Sequence, residues 1–458
     1  MTKTGVEPTL VTLNTIVNGL CIEGDMDRAL WLVEKMEALG YQCNSRTYGE
    51  LVNGLCKIGD TSGAVECLRK MVERNLEPNV VVYNAILDGL CKRGLVNEAF
   101  GLFREMSATV VPNVVSYNCL IQGLCDGFGG WREGVVLFNE MVVEKGIAPD
   151  VQTFSILVDG FCKEGLVLWA ENVLGFMVRT GVQPNVVTYN SLIGGYCLRN
   201  WMEEAMRVFE LMDSEREGCL PSVVTYNLLI HGWCRVKEVD VAMSLMGEMM
   251  GKGLDPDVVT WTTLICGFCE VRKPLAAKEL FFNMKKHGQV PNLHTCAVVL
   301  DGLFKCWLDS EAVSLFTAME KSGVDLDIVI YNIMLDGMCK AGKLDDAREL
   351  LCRVLDKGLA IDTYTYNIMI KGLCKEGLLD DAEELLGKME EDGCPPNKSS
   401  YNVFLQGLLR KYDISRCRKY LQIMKGKGFR VDAVTTEFIT RFLYANKGDN
   451  AFQDMLFI

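Results

Sequence analysis

The amino-acid sequence predicts an all-α fold, a right-handed superhelical α-solenoid of stacked helical hairpins. Two observations predict it. One phrase recurs along the chain, as "PNVVVYNAILDGLC" at 78–91, "PNVVSYNCLIQGLC" at 112–125, "PNVVTYNSLIGGYC" at 184–197, "PSVVTYNLLIHGWC" at 221–234 and "PDVVTWTTLICGFC" at 256–269. Nine of the eleven prolines (Pro8, Pro78, Pro112, Pro149, Pro184, Pro221, Pro256, Pro291, Pro396) hold one offset before it, with gaps of 34, 35 or 37 residues where no copy is skipped. Self-similarity at such a period marks a repeat array, and it displaces the ~3 globular domains that length alone would suggest.

Phase 1 is set two residues after this proline. Twelve repeats then begin at Leu10, Ser45, Val80, Val114, Val151, Val186, Val223, Val258, Leu293, Ile328, Thr363 and Lys398, and nine of them are 35 residues long. Within one repeat, "VVTYNSLIGGYCLRN" (186–200) has apolar residues at three- and four-residue spacing and reads as a helix. A break follows, and "MEEAMRVFELM" (202–212) forms a second helix that ends before a Gly and Pro segment. Pro274, off phase, falls in the first turn of a second helix, where a missing N–H is harmless. Neither helix can bury its apolar stripe alone, so stacking of hairpins completes the core.

Residues 1–9 read as the tail of a repeat cut by the start of the chain, because Met1 falls at phase 27, where second helices elsewhere place Met36, Met71, Met106, Met284 and Met389. Residues 10–432 are the twelve repeats. Residues 433–458 begin like a first helix but carry Glu437 at phase 5, and read as C-terminal capping helices.

At about 100° per residue, phase 2 lies about 60° and phase 13 about 80° from phase 5, so the three share one face of the first helix. Phase 5 is always small: Asn14, Gly49, Asn84, Asn118, Ser155, Asn190, Asn227, Thr262, Ala297, Asn332, Asn367 and Asn402. Asn is a poor helix former, so its recurrence needs a cause outside the helix. The last phase is confined to Asn, Asp or Ser: Asn44, Asn79, Asn113, Asp150, Asn185, Ser222, Asp257, Asn292, Asp327, Asp362, Asn397 and Asp432. Phase 2 is Val in seven repeats (Val11, Val81, Val115, Val187, Val224, Val259, Val329), with Arg46, Gln152, His294, Tyr364 and Ser399 departing. Phase 13 is basic in eight: Lys57, Lys92, Lys163, Arg235, Lys305, Lys340, Lys375 and Arg410. A purely structural account is available for each position. Phase 5 would bond neighbouring backbone along the stack, the last phase would cap the next helix, the valines would be core, and the lysines would offset helix C-termini.

Catalytic chemistry is not apparent. Phase 12 is Cys in ten repeats (Cys21, Cys56, Cys91, Cys125, Cys162, Cys197, Cys234, Cys269, Cys339, Cys374), a spacing that cannot converge on a metal and suits small buried hydrophobes. Cys266 and Cys269 form one Cys-x-x-Cys without a second pair, and only His231, His287 and His294 exist. No phosphate loop or nucleophile elbow occurs. We expect no enzyme, cofactor, metal or membrane span, and reduced cysteines.

The 35-residue period, the "TYN" opening and the Leu-Cys-Lys-x-Gly phrase, as in "GLCKEG" (372–377), resemble the pentatricopeptide repeat family over essentially the whole chain. The Trp, Leu-Gly and Tyr pattern of tetratricopeptide repeats is absent. The phrasing is similar to that of plant proteins built only from such repeats, including the fertility-restorer-like group. The resemblance implies sequence-specific binding of single-stranded organellar RNA, mitochondrial or alternatively chloroplast, at one base per repeat, with other RNA-processing factors as further partners. Phase 5 and the last phase would read the base, phase 2 would sandwich it and phase 13 would meet phosphate.

The family's code, as the resemblance implies it, gives uracil for Asn with Asp, a pyrimidine for Asn with Asn, cytosine for Asn with Ser, and adenine for Ser or Thr with Asn. Asn14/Asn44, Asn84/Asn113 and Asn118/Asp150 then read pyrimidine, pyrimidine and uracil at bases 1, 3 and 4. Ser155/Asn185, Asn190/Ser222, Asn227/Asp257 and Thr262/Asn292 read A, C, U, A. Asn332/Asp362, Asn367/Asn397 and Asn402/Asp432 read uracil, pyrimidine, uracil. Gly49/Asn79 and Ala297/Asp327 leave bases 2 and 9 open, for a site Y-N-Y-U-A-C-U-A-N-U-Y-U. A helical scaffold holding a protein segment in its groove is the alternative. A net charge of −13 and pI near 5.0 exclude a nonspecific binder that relies on phosphate neutralisation. The acid is concentrated in second helices ("DDAEELLGKMEEDG", 380–393), while the first-helix face carries the Lys and Arg row.

Overall fold

The computed structural model describes residues 8–127, 130–214, 219–321 and 325–445. Residues 1–7 of the expected repeat tail and 446–458 of the expected cap lie outside these. Among the described residues there are 25 α-helices, one π-helical segment and no strand. None of these helices is long and apolar enough to cross a membrane. The chain divides into two compact units, Met1–Trp233 and Cys234–Ile458.

A helix begins at each of the twelve phase-1 residues. In the first unit the first helices span Leu10–Glu23, Ser45–Lys57, Val80–Lys92, Val114–Asp126, Val151–Lys163 and Val186–Leu198. In the second they span Val258–Glu270, Leu293–Lys305, Ile328–Lys340, Thr363–Glu376 and Lys398–Arg410, followed by Ala433–Ala445; Val223–Arg235 crosses the division. These starts are fixed chemically. In every repeat junction the last-phase side chain accepts a backbone N–H from the helix that follows, and Asn44, Asn113, Asp150, Asn185, Asp257 and Asn397 do so within capping boxes. The ends are fixed at phase 15, which adopts a left-handed conformation at Gly24, Gly59, Gly94, Gly165, Gly342 and Gly377. Five repeats force a side chain into the same conformation: Asn200, Lys237, Arg272, Trp307 and Tyr412, with φ from 59° to 70°. Pro274 stands at N1 of Pro274–Lys286.

Within each unit a first helix packs on the first helix of the next repeat, and most second helices pack on their own first helix and on the following one. The second helices contribute fully buried alanines and methionines to this core, such as Ala29 with Met36 and Ala277 with Met284. Phase 4 aromatics, among them Tyr117, Tyr331 and Trp261, fill the hairpin interior. The closest approach is between glycine and cysteine. Phase 10 is Gly in all twelve repeats, a residue about 1 kcal/mol unfavourable in a helix interior. Its reason is tertiary: a Cβ on Gly195 would lie 2.5 Å from Cys162 Sγ, and one on Gly160 would lie 2.7 Å from Cys125 Sγ. Eight of the ten phase-12 cysteines are thus buried, as their spacing predicts, and Cys56 and Cys269 are half-buried. In the 37-residue repeat starting at Val114, the second helix Trp131–Asn139 runs on into a π-helical segment, Glu140–Glu144.

Candidate nucleic-acid interface

The three phases expected on one face lie at different depths. The seven phase-2 valines are 43–71% exposed, which overturns their reading as core, and Tyr364 at the same phase is also exposed. Phase 5 lies deep. Asn14, Asn84, Asn118, Ser155, Thr262, Asn332 and Asn402 are at most 9% exposed, because phase 5 faces the next repeat's first helix. Gly49, Asn190, Asn227, Ala297 and Asn367 are half-buried. The last-phase residues stand at the rim, half-buried or exposed.

Phase 5 bonds mainly to a side chain rather than to the expected backbone. Asn14 Oδ1 accepts from Thr47 Oγ1 at 2.9 Å, Asn84 Oδ1 from Ser116 Oγ at 2.7 Å, Asn118 Oδ1 from Thr153 Oγ1 at 2.7 Å and Asn190 Oδ1 from Thr225 Oγ1 at 2.8 Å. Ser155 and Thr262 make the equivalent bond, hydroxyl to hydroxyl, with Thr188 and Thr295, each at 2.7 Å. Asn402 differs: its Nδ2 donates to the Lys398 carbonyl at 2.8 Å and its Oδ1 accepts the Asp432 N–H at 3.0 Å; the Thr262 hydroxyl also reaches backbone, the Val258 carbonyl at 2.7 Å. These hydroxyls sit at phase 3, which sequence reasoning passed over although Thr or Ser recurs there.

The phase-5 amide also reaches last-phase side chains directly. Asn84 Nδ2 donates to Asn113 Oδ1 at 3.2 Å, and Asn118 Nδ2 to Asp150 Oδ1 at 3.1 Å. Burial alone would raise the Asp150 carboxyl. The Thr153 N–H, the Asn118 amide and the Thr153 hydroxyl outweigh it and hold the group below the usual carboxylate range, so it is an acceptor at neutral pH.

All eight basic phase-13 residues are exposed. The basic row is opposed in part, since aspartates at phase 9, one turn earlier, neutralise four of them. Lys92 pairs with Asp88 at 2.7 Å, Lys305 with Asp301 at 2.6 Å and Lys340 with Asp336 at 2.5 Å. Lys163 bridges Asp159 and Asp126, each at 2.8 Å. Burial would lower Lys163, but its bonds to Asp126 and Asp159 outweigh that and hold its pKa up. Lys57, Arg235, Lys375 and Arg410 make no ion pair among the described residues, and Arg410 lies over the Phe438 ring at 5.0 Å.

One cleft of about 350 Å³ gathers every class of residue. Val329 and Tyr364 stand at its mouth, Asn332 at its floor, Asp362 at its rim and Lys340 at its edge. Asn332 Oδ1 is buried there without a hydrogen-bond partner. The described cysteines are unbridged, and no group of three or more His, Cys, Asp or Glu among the described residues could hold a metal.

Comparison with known proteins places the repeats in a family. The model described as PPR repeat family matches residues 8–57, 78–126, 112–163, 221–270, 256–305, 326–375 and 366–410, and PPR repeat models match 180–213, 46–76, 152–182, 294–324 and 399–429. The chain belongs to the pentatricopeptide repeat (PPR) family. A pentatricopeptide repeat-containing protein of Arabidopsis thaliana is 42% identical over 43 residues, which is 9% of this PPR chain and 8% of that relative. The crystal structure of the pentatricopeptide repeat protein PPR10 from maize is similar in fold, with a TM-score of 0.53 at 22% identity over 97% of this chain and 72% of that one. Yeast Rmd9p in complex with a 16-nucleotide target RNA aligns over 94% of both chains at 13% identity, with a TM-score of 0.47.

Proposed function

We propose that this PPR protein binds single-stranded RNA in a sequence-specific way, one base per repeat, and acts on organellar, chiefly mitochondrial, transcripts by occupying its site. Processing, stability and translation of a transcript are all open to control by such occupancy. The observation that carries the reading is the cleft at Asn332, where the two exposed phase-2 side chains, a buried amide with an unsatisfied oxygen, a capping carboxylate and an exposed lysine converge. Exposed valines and Tyr364 are platforms for base faces, and stacking on an aromatic is worth about 1–3 kcal/mol per base.

Capping explains how the last phase discriminates. The cap uses Oδ1, which leaves the second polar atom as the one that differs, Oδ2 on Asp362 and Nδ2 on Asn185. A carboxylate oxygen accepts the ring N–H of uracil, whereas an amide donates to the bare ring nitrogen of cytosine or adenine. The phase-5 side chain sets the room available, Ser155 and Thr262 leaving more than Asn.

The test is binding of Y-N-Y-U-A-C-U-A-N-U-Y-U RNA against its scramble, followed by a swap at one repeat. Asn190→Thr with Ser222→Asn reproduces the residues of the Thr262/Asn292 junction and keeps Thr225 as a partner, so base six should change from cytosine to adenine. A correct contact of this kind is worth on the order of 1 kcal/mol. Equal affinity for site and scramble would remove the proposal.

A further inference from the structure

Phase 3 has no part in base reading as described above, yet it follows phase 5 of the preceding repeat at every junction. Where phase 5 is polar, as at Asn14 or Asn118, the next phase 3 is Thr or Ser; where it is Gly49 or Ala297, the next phase 3 is Val82 or Ile330. The two departures from a polar phase 5 and the two departures from a phase-3 hydroxyl fall at the same two junctions of twelve. Thr153 is fully buried, as are its counterparts, and Gly49 meets the Val82 side chain where a Cβ would lie 3.5 Å from it.

The geometry gives this matching a chemical meaning. Thr153 Oγ1 accepts the Asp150 N–H at 3.2 Å, and its own proton points to Asn118 Oδ1 at 2.7 Å and Asp150 Oδ1 at 2.9 Å. A primary amide has one accepting and one donating end, and a hydroxyl behind it that donates selects the oxygen. Asn118 therefore turns Nδ2 forward, where it reaches Asp150 at 3.1 Å. At Asn332 and Asn367 the hydroxyls of Thr365 and Ser400 lie on the capping residue instead, and the Asn oxygens are left buried without a partner.

We infer that the phase-3 hydroxyl is a positioning residue where it bonds the preceding repeat's phase-5 amide, as at Asn14, Asn84, Asn118 and Asn190: it fixes the amide's oxygen inward and turns the donor toward the last-phase side chain, as Asn84 and Asn118 show, so three residues set base choice at such a junction. Junctions backed by Val82 and Ile330 present no oriented group and leave bases two and nine unread. This rests on the base-reading function proposed above.

The test measures affinity for RNAs that differ at one base. Thr153→Val should bring the preference for uracil at base four close to parity while preferences at the other bases hold and the unfolding midpoint falls with the lost buried hydrogen bond, and Thr153→Ser should restore both. Gly49→Asn alone should create no preference at base two, whereas Gly49→Asn with Val82→Thr should create a several-fold preference for pyrimidine. Retention of the uracil preference in Thr153→Val, or an equal gain from Gly49→Asn alone, overturns the inference and leaves base reading intact. A wild-type chain without preference at any base overturns both.

Discussion

At the scale of single residues, two backbone sites determine how well a repeat is made. Gly195 has no room for a methyl group against Cys162, and Gly160 has none against Cys125. Gly195→Ala should destabilise the protein by about 1–3 kcal/mol, as overpacking of a tight core does, and a lowered denaturant midpoint would report it. Arg272 is the opposite case. It is exposed and holds φ at 59°, a conformation that suits glycine. Arg272→Gly should therefore stabilise by about 0.5–1 kcal/mol, the gain from relieving the left-handed strain less the added flexibility of the unfolded chain. A midpoint that falls in this variant would show that Arg272 packs in a way its exposure does not reveal.

At the scale of elements, the first helix carries the residues proposed to read RNA and the second carries packing and charge. The first helices hold thiols that burial pushes up to about 12, as at Cys125, Cys162 and Cys374. A thiol raised in the folded state favours the neutral form, so its contribution to stability is complete below the ordinary thiol range and is lost as pH rises through it. The depressed carboxylates work the other way. Glu383, held down chiefly by Lys419, and Asp60, held down chiefly by the Gly63 N–H, stabilise the fold above the ordinary carboxylate range and lose that contribution as pH falls below it. Melting temperature should thus hold between about pH 5 and 8 and decline on both sides. In the same window an alkylating reagent should label exposed Cys352 while sparing the phase-12 thiols until denaturant is added. Ion pairs join successive second helices, such as Arg416 to Asp380 at 2.6 Å and Lys427 to Glu390 at 2.6 Å, and pairs as open to water as the second add little each. The helix starts were legible in the sequence because proline offset and capping residue are local signals. The depth of phase 5, the exposure of phase 2 and the service of Gly195 to Cys162 were not, because each depends on the neighbouring repeat.

At the scale of the whole molecule, the net charge of −13 sits on a protein whose proposed RNA-binding face is basic only in part. On that proposal, the phase-9 aspartates hold back lysines that phosphate would otherwise engage, and should weight affinity toward base contacts. Asp336→Asn should release Lys340, strengthen binding to all RNAs alike and steepen the salt dependence by about one ion. Binding isotherms across a salt series check this, and an unchanged slope would mean that Lys340 does not reach phosphate. The edge matching of phases 5 and 3 also limits how such a gene can grow or shrink. Each repeat behaves like a domino, with phase 3 on its leading edge and phase 5 on its trailing one. Loss of the repeat at 114–150 sets Asn84 against Thr153 and keeps like beside like. Loss of the repeat at 80–113 sets Ser116 against Gly49 and strands a buried hydroxyl, a mismatch of about 1–3 kcal/mol. The repeats that begin at Ser45 and Val80 should therefore be kept as a couple, as should those at Leu293 and Ile328, while their neighbours can be duplicated one at a time without a mismatch.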